Sequence, residues 1–88
     1  MANKSFDVVV LDPVGLHARP AALIVKLVKD SGLEVEFTNG DVTVKGNSAL
    51  RLMSLKIKSG STVSVTVESE DQSVIDDVKS QLTEILKG

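Results

Sequence analysis

Four segments of this chain alternate apolar and polar residues with the two-residue period of a β-strand, and this pattern constrains the fold most. The clearest segment is 63–67, in which Val63, Val65 and Val67 alternate with Ser64 and Thr66. The apolar positions of the other three are Phe6, Val8 and Val10, then Leu33, Val35 and Phe37, then Val42 and Val44. Because successive side chains of a strand point to opposite faces, the pattern predicts a sheet with one face buried and the other in water.

Three further segments have the apolar spacing of amphipathic helices, at residues 19–31, about 48–57 and about 71–86. Between the second and third strands, the pair Asn39-Gly40 predicts a hairpin with a type I′ turn, in which both central residues have positive φ. The element order is then β-α-β-β-α-β-α, and a sheet with one wet face requires all the helices on its other face. We predict an α+β fold, an open-faced two-layer sandwich, formed by a single domain over residues 1–88.

Composition excludes several classes of site. The chain has 88 residues and no cysteine, so disulfides, thiolate chemistry and cysteine-bound zinc are excluded. With one histidine and no evident acidic cluster, we expect no metal and no other cofactor. A net charge of −2, with two phenylalanines as the only aromatic residues, argues against nucleic-acid binding through phosphate neutralisation and base stacking.

Two observations predict a cytoplasmic location. No apolar run approaches the roughly 20 residues of a membrane span. The first residues, MANKSFDVVV, lack the basic and then apolar order of a secretion signal.

The predicted second helix has more apolar surface than contact with a core requires. At about 100° per residue, its apolar residues spread over about 220° of the helix circumference, whereas a core-facing stripe needs about half of that. These residues are Ala49, Leu50, Leu52, Met53, Leu55 and Ile57. Part of this surface is therefore expected to face outward.

The only histidine, His17, lies in the stretch VGLHARPAAL, between the first strand and the first helix. Gly15 permits a sharp turn before it, and Pro20 suits the first turn of a helix, where its missing N–H is no loss. The N–H groups of Ala18 and Arg19 then lie at a helix N-terminus, which binds anions. The guanidinium of Arg19 is suited to phosphoryl oxygens.

Together these features indicate phosphoryl chemistry at His17. A neutral imidazole is a good nucleophile near physiological pH, and a phosphoryl group on it brings about two negative charges into positive surroundings. Such transfer depends mainly on positioning and charge stabilisation. The nearest acid, Asp12, could orient the ring. From the residues alone, the alternative is a surface histidine without a function before an ordinary helix start.

The stretch GLHARPA resembles the active-site signature of the histidine-containing phosphocarrier protein (HPr) family of the bacterial sugar phosphotransferase system. The stretch NSALRLMSL resembles that family's short second helix, which opens with a serine followed by apolar residues. Element order and length agree, so the resemblance covers the whole chain. It implies that the four-stranded sheet is antiparallel, in agreement with the alternation.

The resemblance implies a monomeric phosphoryl carrier and not an enzyme. His17 is expected to accept a phosphoryl group on Nδ1 from phosphorylated enzyme I, with phosphoenolpyruvate as the ultimate donor. It would then pass the group to a histidine of a sugar-specific enzyme IIA. Arg19 is expected to bind the phosphoryl oxygens, with the N–H of Ala18 as a further donor.

The resemblance also accounts for the surplus apolar surface, because the family's short second helix lies beside the active histidine and docks partners. Leu52 and Leu55 are then expected to pack inward. The residues expected to bind partners are Leu16, Ala22, Ala49, Leu50 and Met53, with Lys26 and Arg51 as a basic rim. A small apolar surface with basic edges suits brief docking to acidic partner surfaces. The alternative is that these apolar residues only cover the core.

Ser48 corresponds to a serine that an ATP-dependent kinase phosphorylates in Gram-positive relatives, which weakens carrier activity and creates a corepressor. The resemblance therefore adds a serine kinase or phosphorylase and a catabolite-control regulator as expected partners. The usual context, a lysine before the serine and two bulky apolar residues after it, is replaced here by Asn47 and by Ala49-Leu50. A plain N-cap role for Ser48 agrees with the sequence equally well.

Other functions remain open from the sequence. One is a regulatory adaptor that binds a transcription factor or kinase, with His17 secondary. Another is the carrier of a nitrogen-related branch of the same phosphorelay. A sheet-based nucleic-acid module agrees least with the composition.

Overall fold

The computed structural model describes residues 3–87, in which strands and helices follow in the predicted order. The strands are β1 (Asn3–Val9), β2 (Val35–Asn39), β3 (Val42–Lys45) and β4 (Thr62–Glu68), and the helices are α1 (Ala18–Ser31), α2 (Ala49–Ser54) and α3 (Gln72–Leu86). The sheet has the order β1-β4-β2-β3, and all neighbouring strands are antiparallel. The predicted α+β open-faced sandwich is confirmed.

The core lies between one face of the sheet and the helices. In the central strand β4, Val63, Val65 and Val67 are at most 1% exposed. The buried residues that the helices contribute include Ala21, Ile24 and Val28 of α1, Leu52 of α2, and Ile75, Val78, Leu82 and Leu86 of α3. Removal of this apolar surface from water is the main force that holds the sheet and the helices together.

The outer face of the sheet is polar, as the alternation predicts. The hydroxyls of Ser5 and Thr66, which lie opposite each other on β1 and β4, are 3.0 Å apart. On β2 and β3, the hydroxyls of Thr38 and Thr43 are 2.8 Å apart. Val42 departs from the pattern, since it is 53% exposed rather than buried. It lies at the start of the edge strand β3, next to the hairpin turn.

The hairpin between β2 and β3 is present, but its turn is shifted by one residue. Asn39 pairs with Val42, so the two loop residues are Gly40 and Asp41. Gly40 has φ +64°, whereas Asn39 does not have positive φ. The predicted type I′ turn centred on Asn39-Gly40 is therefore wrong. Asn39 instead stays in the strand, and its Nδ2 donates a hydrogen bond of 2.9 Å to the carbonyl of Leu55.

The second helix is shorter than the sequence predicts, because α2 ends at Ser54 rather than near Ile57. Two residues beyond it, Lys56 has φ +53° and is the one non-glycine residue with positive φ in the described range 3–87. This left-handed residue ends the helical path. Ile57 nevertheless remains 3% exposed and reaches the core from the following loop.

Lys56 occupies a backbone conformation that favours glycine, so we expect Lys56→Gly to stabilise the protein. Relief of the left-handed strain is expected to raise the free energy of unfolding by about 0.5–1 kcal/mol, measured by urea denaturation. Lys58→Gly is the matched control, since it removes the same side chain from an exposed position without positive φ. An equal effect of the two variants would contradict the strain assigned to Lys56.

Candidate functional site

The loop between β1 and α1 is held against the segment that follows α2. The N–H of Leu16 donates to the carbonyl of Ile57 at 3.0 Å. Gly15 has φ +84°, and a Cβ at this position would lie 2.5 Å from the same carbonyl oxygen. Only glycine combines this conformation with so close an approach. These contacts hold the loop in the arrangement that places His17 at the start of α1.

His17 is the N-cap residue of α1, with extended backbone angles of φ −110° and ψ −170°. Its side chain makes no capping hydrogen bond. The carbonyl of His17 accepts the N–H of Ala21 at 3.0 Å. The N–H groups of Ala18 and Arg19 belong to the first turn, where an α-helix supplies no acceptor. The helix therefore presents free donors, and the positive end of its dipole, next to the imidazole.

The imidazole contacts a carboxylate. Nε2 of His17 lies 3.2 Å from Oδ2 of Asp12, and the two side chains are 36% and 13% exposed. Because an ionised carboxylate only accepts hydrogen bonds, Nε2 is the nitrogen that carries the proton in this contact. In the neutral ring, Nδ1 is then unprotonated and has a free electron pair. The orienting contact expected for Asp12 is present.

Asp12 is held in its ionised form. The N–H of Val14 donates to Oδ1 of Asp12 at 2.9 Å, and this bond is the main cause that lowers the pKa of the carboxyl below its ordinary value of 3.8. Partial burial opposes this shift, while His17 and Arg19 add to it. A hydrogen bond to the charged form favours that form.

The site opens into a cleft of about 460 Å³. It is lined by Asp12, His17, Arg19, Pro20, Leu23, Glu84 and Ile85. His17 and Arg19 thus share one cleft, as the helix start predicts. The contribution of α3 was not predicted. The apolar spacing of α3 includes Ile85, but no local pattern indicates that the last turn of α3 meets the histidine loop.

The residues expected to face outward on α2 differ in exposure. Leu50 is 77% exposed, and Arg51 is also exposed. Ala49 and Met53 are half-buried and pack against the core. Leu52 and Leu55 point inward as expected, being 0% and 5% exposed.

α2 packs against α1. Two residues of α1 that are expected to bind partners are exposed. These are Ala22 and Lys26. Apart from Leu16, the residues expected to bind partners thus belong to two helices that pack against each other.

Leu16 is the one expected partner-binding residue that the structure places inside the protein. It is 7% exposed and belongs to the core cluster. The expectation that its side chain extends the exposed apolar surface is wrong. The bond from its N–H to Ile57 and the close approach of Gly15 draw this part of the loop against the protein.

Ser48 is the N-cap of α2. Its side-chain oxygen accepts the N–H of Arg51 at 3.4 Å, and the residue is half-buried. The N-cap role is therefore present in the structure.

Within residues 3–87, no group of three or more histidine, aspartate or glutamate side chains is arranged to hold a metal ion. Over the same part of the chain, no helix has the length and apolar character needed to cross a membrane.

Comparison with solved structures defines the class of protein. The phosphocarrier protein HPr from Bacillus anthracis superposes with a TM-score of 0.79 at 29% sequence identity, over 92% of this chain and 98% of that one. The fold, with a histidine at the first helix start, is that of the small phosphocarrier proteins.

Sequence comparison gives the family. Residues 4–84 match the family described as PTS HPr component phosphorylation site. The phosphocarrier protein HPr of Borreliella burgdorferi is 33% identical over 74 residues, which cover 84% of this chain and 83% of the relative. The HPr of Mycoplasma pneumoniae is 38% identical over 79 residues, which cover 78% and 80%. The chain belongs to the HPr family of phosphotransferase-system phosphocarriers, which are carrier proteins rather than enzymes.

The different burial of Leu16 and Leu50 is testable through stability. Leu16→Ala is expected to lower the free energy of unfolding by about 2–4 kcal/mol, because it leaves a cavity in the core. Leu50→Ala makes the same chemical change at an exposed site and is expected to alter it by less than about 0.5 kcal/mol. Denaturant titration of both variants measures the difference. Similar losses would contradict these placements.

Proposed function

We propose that this protein is the phosphocarrier of a sugar phosphotransferase system in the cytoplasm, and that His17 is its phosphoryl acceptor. The observation that carries the proposal is the imidazole at the N-terminus of α1, with Nε2 bonded to Asp12 and Nδ1 left free. Membership of the HPr family supports it. Enzyme I is the proposed donor partner and a sugar-specific enzyme IIA the proposed acceptor.

In the proposed reaction, the electron pair of Nδ1 attacks the phosphorus atom carried by enzyme I. The bond between phosphorus and enzyme I breaks, and its electron pair remains on the enzyme I atom. In the second transfer, a histidine of enzyme IIA attacks the same phosphorus, and the bond to Nδ1 breaks. The proton on Nε2 stays in place in both steps, so neither step needs a general base.

Charge stabilisation explains the surroundings of His17. A phosphoryl group on the ring carries about two negative charges. Arg19 lines the same cleft and offers a guanidinium for the phosphoryl oxygens. The N–H of Ala18 and the dipole of α1 add fixed positive potential. These groups are in position before the phosphoryl group arrives, so little rearrangement opposes transfer.

The first test measures phosphate uptake from phosphoenolpyruvate in the presence of enzyme I. We expect acid-labile phosphate on the wild-type protein and none on His17→Ala. Arg19→Ala is expected to slow the transfer by roughly 10-fold to 100-fold, because a charged contact to the transferring group is lost. Lys45→Ala, which removes a positive charge from β3, is the control and is expected to transfer at the wild-type rate.

Two outcomes would overturn the proposal. Uptake of acid-labile phosphate by His17→Ala would assign the acceptor to another residue. Absence of phosphate from the wild-type protein, with partner binding unchanged by His17→Ala, would instead favour a regulatory adaptor.

We propose a docking surface formed by Ala22 and Lys26 of α1 and by Ala49, Leu50, Arg51 and Met53 of α2. Leu50 is its most exposed apolar residue at 77%. Lys26 and Arg51 give it basic edges, which favours acidic partner surfaces and increases the rate of encounter. The exposure of Leu50 also supports this role, because a side chain in contact with water adds no burial free energy to the stability of the free protein.

A charge at Leu50 tests the docking surface. Leu50→Asp is expected to weaken binding to enzyme I by about tenfold or more, with little change in melting temperature, since an unpaired charge would be buried in the complex. Val42→Asp is the matched control, because Val42 is also apolar and 53% exposed but lies on β3. Isothermal titration calorimetry measures the affinity. Equal weakening by both variants would argue against a local docking role for Leu50.

Met53 is a less selective test of the same surface. It is half-buried against the core. Met53→Glu is therefore expected to reduce stability as well as binding. A substitution at the exposed Leu50 is instead expected to reduce partner binding without reducing stability.

We also propose that Ser48 is a regulatory phosphorylation site. A phosphate there lies at the start of α2, next to Ala49 of the docking surface, where its charge opposes acidic partners. The family resemblance supplies the candidate partners, a serine kinase or phosphorylase and a catabolite-control regulator. Because Asn47 and Ala49-Leu50 replace the residues that usually flank this serine, the proposal depends on whether the kinase recognises Ser48.

Incubation with ATP and a serine kinase of such a system tests Ser48. We expect phosphate on the wild-type protein and none on Ser48→Ala, whereas both accept phosphate from enzyme I at His17. Ser48→Ala is also expected to lose about 0.5–1 kcal/mol of stability through the missing cap. A wild-type protein that the kinase leaves unmodified would leave Ser48 with the N-cap role alone.

A further inference from the structure

The end of α3 is bonded directly to the strand end that carries Asp12. The carbonyl of Leu86, in the last turn of α3, accepts the N–H groups of both Leu11 and Asp12 at 2.8 Å each. Leu86 itself is 1% exposed and forms part of the core. The carbonyl is therefore a firmly placed acceptor, and it fixes the backbone of the two residues that donate to it.

The remaining polar groups of Asp12 are also engaged. Its carbonyl accepts the N–H of Gly15 at 2.9 Å. Its Oδ1 accepts the N–H of Val14 at 2.9 Å, and its Oδ2 contacts Nε2 of His17 at 3.2 Å. The carboxylate is thus oriented by the backbone on one oxygen and offers the other to the imidazole. This orientation connects the end of α3 to the histidine through one residue.

We propose that Asp12, held by the last turn of α3, is a positioning residue for the phosphoryl transfer at His17. It keeps the proton on Nε2 and thereby keeps Nδ1 unprotonated for the incoming group. The role of Asp12 in transfer rests on the proposed function. Its effect on the tautomer of the imidazole does not depend on that function.

The same contact also acts after transfer. When the bond from Nδ1 to phosphorus forms, Nε2 keeps its proton, so the phosphorylated ring is positively charged. The carboxylate of Asp12 is then a counter-ion on the far side of the ring from the phosphoryl group. Opposite charges at hydrogen-bond distance attract strongly where solvent is partly excluded. Asp12 therefore favours the phosphorylated state as well as the reactive tautomer.

Nitrogen NMR of the labelled imidazole tests the tautomer without any partner protein. At a pH where the ring is neutral, we expect the proton on Nε2 in the wild-type protein. In Asp12→Ala it is expected to be shared between both nitrogens. Asp12→Asn is expected to restore the Nε2 proton, because its amide oxygen can accept the same hydrogen bond. Asp7→Ala, which removes an exposed acid of β1, serves as the control and is expected to keep the wild-type spectrum.

Transfer from phosphorylated enzyme I gives the second readout. Asp12→Ala is expected to reduce the transfer rate by about tenfold while its affinity for enzyme I stays at the wild-type value. Asp12→Asn is expected to remain slower than the wild type, since it restores the tautomer without the counter-charge. A wild-type rate in Asp12→Ala would overturn the positioning role and leave His17 as the acceptor. An Asp12-dependent tautomer in a protein that takes no phosphate would overturn the proposed function alone.

The contribution of α3 is tested with Lys87→Pro. Proline removes the N–H that Lys87 donates to the carbonyl of Thr83 at 3.1 Å, and it disfavours the helical conformation of Leu86. We expect faster hydrogen exchange at the amides of Leu11 and Asp12 and a tautomer shift in the direction of Asp12→Ala. Unchanged exchange at the amide of Val65 shows that the core is intact. Faster exchange at the two amides with an unchanged tautomer would overturn the role of α3.

Discussion

Burial of the inner face of β4 is the constraint on which the rest of the structure depends. Val63, Val65 and Val67 are almost completely removed from water, and β4 pairs with β1 on one side and β2 on the other. A sheet with one apolar face requires a layer of helices on that face. Main-chain hydrogen bonds then join the loop before α1 to the segment after α2 and to the end of α3. The candidate site lies at their junction.

The geometry of the site depends on contacts between three segments, and not only on the sequence stretch around His17. His17 belongs to the loop before α1, but the loop is fixed by the Ile57 carbonyl that follows α2. The carboxylate that contacts the ring is fixed in turn by the Leu86 carbonyl of α3. Main-chain hydrogen bonds between distant segments therefore orient the imidazole. This explains how a small domain with a single histidine can present a defined ring nitrogen, because the loop before the ring and the carboxylate that contacts it are both bonded to buried residues, Ile57 and Leu86.

The proposed docking surface likewise depends both on the local apolar pattern of α2 and on how the helices pack. The apolar residues of α2 cover more of its circumference than α1 and the sheet can bury, so Leu50 is left in water. Leu16 is equally apolar and next to the histidine, yet it belongs to the core. The difference arises because the loop of Leu16 is drawn inward by its backbone, whereas Leu50 lies on the solvent side of a packed helix. Apolar character alone does not separate the two cases.

The sequence by itself determined the element order, the one-sided sheet and the meeting of His17 with a helix N-terminus. These features depend on local periodicity, on the glycine and proline around His17, and on spacing within single elements. Only the tertiary structure decided the turn residues of the hairpin, the early end of α2, the burial of Leu16 and the contact of α3 with Asp12. Each of these depends on hydrogen bonds or packing between residues far apart in the chain, such as Asn39 with Leu55 and Asp12 with Leu86. Local preferences carry no information about such partners, because the partners meet only when the core forms.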